Sequence, residues 1–159
     1  MKIQVLILSC LMLGLGACSE KPAEEPTAAV EPAAAPEPVA MQRKASAEGA
    51  RVFFITPADG ATVTNPISIE FGVEGMDVVR AGNDQPHSGH HHLLIDTELP
   101  DLGLPIPADE HHVHFGDGRT ATAISLPPGE HTLQMLLGDH LHIPHDPPLM
   151  SEVIRVTVE

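Results

Sequence analysis

The stretch PISIEFGV, residues 66–73, sets Ile67, Ile69, Phe71 and Val73 against Ser68, Glu70 and Gly72. Apolar residues at every second position line one face of a β-strand and scatter around a helix. The same period recurs in HTLQMLLGD, where Leu133, Met135 and Leu137 oppose Thr132, Gln134 and Leu136. It returns in SEVIRVTVE, where Ile154, Val156 and Val158 oppose Val153, Arg155 and Thr157. No segment carries a convincing helical period. Seven strands are expected, over 51–56, 66–73, 91–96, 112–115, 120–126, 131–137 and 151–158. Such a run of short strands separated by Gly, Pro and Asp turns predicts an all-β, immunoglobulin-like β-sandwich; the alternative is a cupredoxin-like Greek-key barrel. With no Trp, no Tyr and four Phe, its core must be built from Val, Ile, Leu and Met.

The first fifty residues follow different rules. Residues 1–17 read as a secretory signal: Lys2, then an apolar run from Val5 to Leu15, then small residues. The run is too short to cross a bilayer as a helix. Leu15-Gly16-Ala17-Cys18 resembles a bacterial lipobox, which implies lipidation of Cys18 and a membrane anchor. Ser19 after the cysteine implies sorting to the outer membrane, on its periplasmic face. Residues 18–49 are rich in Pro, Ala and Glu and read as a disordered tether. The folded domain is expected over 50–159. Cys10 leaves with the signal and Cys18 carries lipid, so no disulfide is expected and any metal site must use histidine, carboxylate or methionine. A net charge of −14 repels nucleic acid and argues against it as a partner. No protein partner can be named.

Eleven histidines remain to be explained. They concentrate in HSGHHHLLID (His87–Asp96), HHVHF (His111–Phe115) and GDHLHIPHDPP (Gly138–Pro148). In the expected sandwich, the connections after the second, fourth and sixth strands lie at one end, which would bring the three groups together. His90-x-His92, His112-x-His114 and His140-x-His142 each place two imidazoles on one side of an extended chain. Such pairs close on Zn²⁺ or Cu²⁺, both of which take imidazole readily. The expected metal ligands are His90, His92, His114, His140, His142 and His145, with His112 in reserve. Asp139 and Asp146 are candidates for ligating or for orienting a ligand. His131, at the far end of its strand, is expected outside the site. Gly89, Gly116, Gly118 and Gly138 read as turn glycines.

The segments RVFFITPADGATVTNPISIEFGVEGM, SGHHHLLID, PIPADEHHVHFGDG, LPPGEHTLQMLLGDHLHIPHDPP and MSEVIRVTVE together resemble domain of unknown function 4399, a bacterial exported domain. The resemblance covers residues 51–159. It implies an exported all-β domain and supplies no activity.

Three functions fit these patterns. The favoured one is a non-catalytic envelope lipoprotein that binds a transition metal through its histidine-rich loops. The alternative is a structural or interaction module whose histidines and aspartates form a loop network. An enzyme with a metal centre is the third; His-Glu-x-x-His and Gly-x-Ser-x-Gly are both absent from the sequence.

Overall fold

The computed structural model describes residues 42–159. The signal, Cys18 and the tether as far as residue 41 lie outside the described residues. Nine strands and no helix occur among them: β1 (Arg51–Thr56), β2 (Ala61–Val63), β3 (Ile67–Glu74), β4 (Asp77–Val78), β5 (Ser88–Ile95), β6 (His112–His114), β7 (Ala121–Ile124), β8 (Gly129–Gly138) and β9 (Ile154–Val158).

Two sheets face each other. One has the order β1-β3-β7; the other runs β2-β9-β8-β5-β4, with β6 also paired to β5. The chain changes sheets after β1: the turn at Pro57–Gly60 delivers β2 to a parallel pairing with β9, Ala61 beside Val156 and Val63 beside Val158. An all-β sandwich in which the third, sixth and seventh expected strands pair in one sheet is the immunoglobulin-like arrangement. The two strands absent from the expectation, β2 and β4, are three and two residues long.

The period-two faces meet between the sheets. Ile67, Ile69 and Phe71 of β3 pack against Leu93 of β5 and against Leu133, Met135 and Leu137 of β8. Leu93 is fully buried, and Leu93→Ala would cost about 2–5 kcal/mol through lost transfer energy and the cavity left behind.

β5 breaks the alternation, because every one of its eight residues is buried. Its inward side chains, His91, Leu93 and Ile95, enter the core, where the His91 ring meets Phe71 edge-on at 4.6 Å. Its outward side chains are roofed instead of solvated: Leu94 forms a second small cluster with Leu136 and with Ile106 from the β5–β6 connection. A strand covered on both faces carries a continuous apolar run, which is why His90–His92 can continue into Leu93, Leu94 and Ile95.

The folded unit also reaches back before residue 50. Arg43 Nε donates to Pro144 O at 2.9 Å, its other guanidinium nitrogen bonds His145 O, and Ala47 and Ala50 pack on the core.

Candidate metal centre

Strand pairing builds the site row by row. On the outer face of the second sheet, His92 sits opposite Leu136 of β8 on one side and His114 of β6 on the other. His90, two residues earlier on the same face, sits opposite Gly138. The β8–β9 connection then folds over this face and brings in His142. The glycines make room for the rings. A Cβ at Gly138 would lie 2.8 Å from His92 Cε1, and one at Gly116 would lie 2.4 Å from His114 Cε1. Of the four glycines read as turn glycines, Gly118 has positive φ; Gly89, Gly116 and Gly138 are required by close approach instead.

The connection is held by Asp139, which is 2% exposed. Its Oδ1 accepts from Leu141 N at 2.8 Å and Ile143 N at 2.9 Å, and its backbone O accepts from His142 N at 2.9 Å. The tight turn puts His142 at φ 68°, in the left-handed region. Ile106 N donates to His142 O at 2.9 Å, tying the roof to the same residue.

His90, His92, His114 and His142 therefore converge: one ligand atom from each lies within 4.8 Å of all the others. All six ring-centroid separations fall between 4.7 and 5.8 Å. Four imidazoles arranged tetrahedrally at a Zn–N distance of ~2.0–2.1 Å would have centroids about 5 Å apart and nitrogens about 3.4 Å apart. Closing such a shell requires the nitrogens, now up to 4.8 Å apart, to approach by up to about 1.4 Å. His90 and His92 are buried, His142 is half-buried and His114 is exposed, so the group has a sealed side and an open one.

Neither ring nitrogen of His90 or His92 has a hydrogen-bond partner. A buried imidazole normally bonds at least one neighbour. Burial, reinforced by His142 and His114, pushes His90 down to about 4. Burial, with His90 and His114 adding to it, pushes His92 to about 2. His114 is lowered too, first by burial and then by His142. His90, His92 and His114 are thus biased toward neutral imidazole, the form in which histidine ligates metal.

His140 and His145 stand apart from the four. The turn at Asp139 sends the His140 ring away, 3.7 Å from Asp84 and from Asp139. His145 is buried beside Gly89, at the start of β5. His112 shares the outward side of β6 with His114 but lies opposite Leu94, and its Nδ1 bonds Asp109 at 2.8 Å. Asp139 braces the loop backbone, and Asp146 is exposed beside Arg43. Met150 lines a separate groove with Phe53 and Phe54. His131 pairs with Asp96 at 2.6 Å, outside the cluster.

The family model described as domain of unknown function (DUF4399) matches residues 69–159, more than half of the chain and all four clustered histidines. The chain belongs to this family. No curated protein and no solved structure matches it. Membership in DUF4399 thus assigns no activity, and the chemistry of the four histidines has to be read from their geometry.

Proposed function

We propose that this chain is a non-catalytic, membrane-tethered envelope protein that binds one Zn²⁺ or Cu²⁺ ion through His90, His92, His114 and His142. The observation that carries the reading is the unpartnered nitrogens. His90 and His92 bury both ring nitrogens without a hydrogen bond, next to His114 and His142, an arrangement that costs stability unless a cation uses the lone pairs. A structural histidine–aspartate network would show the opposite, with each ring bonded as His131 is to Asp96 and Pro127. Four protein ligands, where catalytic zinc sites supply three, are the pattern of holding sites more than of catalytic ones. Imidazole suits both ions, and the stability order favours Cu²⁺ over Zn²⁺ at equal availability.

Isothermal titration of the purified full chain with each ion tests the reading. One ion per chain should bind at micromolar concentration or tighter. The His92→Ala/His114→Ala double variant should lose this binding, and His140→Ala/His145→Ala should keep it. Absence of binding by the unaltered chain overturns the proposal. The anchor is tested separately. Cys18→Ser should move the protein from the outer-membrane fraction to the soluble one, and a variant that stays membrane-bound refutes lipidation at Cys18.

A further inference from the structure

We propose that the ion held by the four histidines takes a fifth, exchangeable ligand, a small monodentate anion, entering through the cleft beneath residues 105–108. The inference rests on the metal reading above and adds what the site does besides hold its ion.

A cleft of about 180 Å³ lies against the cluster, lined by His92, His114, His142 and residues 105–108. His90 is not part of its lining. Three imidazoles thus form a triangular face toward the cleft, and the fully buried His90 closes the side behind them. A donor in the cleft would reach the ion from the side that His92, His114 and His142 line, away from His90. Zn²⁺ expands from four to five ligands, and Cu²⁺ favours tetragonal geometries with additional positions.

Charge selects an anion. All four donors are neutral imidazoles, so a divalent ion keeps its full charge inside the protein. The carboxylate that acts on His90, Asp139, is already bonded to two loop N–H groups. A buried charge demands compensation. The chain's net charge of −14 gives anions no long-range attraction, so the pull is local to the ion.

The wall selects for size and denticity. Two of its four residues, Pro105 and Pro107, have no N–H, and the Ile106 N–H is spent on His142 O. Phosphate or a carboxylate would find few donors there for its remaining oxygens. The volume is also below that of pockets that enclose drug-sized ligands. A one- to three-atom anion bound through a single atom fits both limits.

The probe is azide, added to the purified full chain loaded with one equivalent of Cu²⁺ and followed by visible absorption and electron paramagnetic resonance. The expected result is an azide-to-copper charge-transfer band that saturates while copper stays bound. Ala108→Phe, at an exposed position on the cleft wall, should keep the copper and weaken azide binding at least ten-fold. Should that variant lose copper, the smaller Ala108→Val makes the same comparison. A copper-loaded chain that ignores azide, copper stripped by azide, or equal azide binding by the filled-cleft variant each overturns the proposal. A chain that takes up no copper or zinc overturns the metal reading itself, which is a different result.

Discussion

His142 carries a side chain where the backbone favours glycine. A left-handed conformation costs a residue with a Cβ about 1–2 kcal/mol, and glycine adopts it freely. His142→Gly should therefore leave the metal-free domain as stable as before, or more stable by up to about 1 kcal/mol. On the proposed reading the same change removes a ligand, so it should weaken Zn²⁺ binding by more than the ~10–100-fold that loss of an outer contact costs. Urea unfolding and calorimetry on one preparation read both effects; a variant that loses stability and keeps its affinity would refute the assignment. Gly138→Ala makes the converse case. Its Cβ has no free space beside the His92 ring, so the ring must swing and both stability and affinity should fall. Period two in the sequence already placed His90 and His92 on one face, because strands leave side chains no choice of side. It could not choose among His140, His142 and His145. Those three sit in a loop without period, and their directions depend on the turn that Asp139 imposes.

The connection between β8 and β9 acts as one element because Asp139 ties its backbone together. Two hydrogen bonds to a buried carboxylate are each worth about 1.5–3 kcal/mol. Asp139→Ala should cost about 3–6 kcal/mol. It should also speed hydrogen exchange at Leu141 and Ile143 and weaken metal binding by freeing His142. Added Zn²⁺ should recover part of the lost stability by drawing the loop back. Unchanged exchange at those two amides would show that the carboxylate does not hold the turn. The long strands were legible for a simple reason: β3, β8 and β9 bury one face and solvate the other, at least in part, so burial writes the alternation into the sequence. β2 and β4 are too short to carry a period and take their structure from the neighbours they pair with, β9 and β5. The roof from residues 105–108 carries no periodic pattern in the sequence. Its role comes from tertiary packing of Ile106 on Leu94 and Leu136, which local pattern does not encode.

Across the whole domain, pH acts on the same nitrogens that the proposed ion would use. His91 and His92 are 0% and 1% exposed, and burial holds them at about 4 and about 2. Unfolded, each would titrate near ~6.5. Below that pH the unfolded chain binds protons that the folded one refuses, so stability falls as pH drops from ~6.5 toward each folded value. Each such histidine steepens the fall by about 1.4 kcal/mol per pH unit. His90, His114 and His145 are shifted the same way and add to it. His131 works against them. Its hydrogen bond to Asp96 raises its value, so its contribution is complete below ~6.5 and fades as pH rises through the raised value. One such surface pair is too weak to reverse the slope set by the buried rings. A bound ion adds about 2.7 kcal/mol at a hundred-fold excess over its Kd, but only while the imidazoles are unprotonated. The expected picture is two curves of stability against pH. They lie apart at neutral pH, and both decline below ~6.5. They draw together only as the folded imidazoles take up protons, at about 4 for His90 and lower still for His92. Urea unfolding with and without Zn²⁺, from about pH 7.5 to about pH 4.5, draws them both. A metal-free curve that stays flat through this range would contradict the burial of neutral imidazoles. A metal increment that is unchanged in the His92→Ala/His114→Ala variant would place the ion elsewhere than on the four histidines.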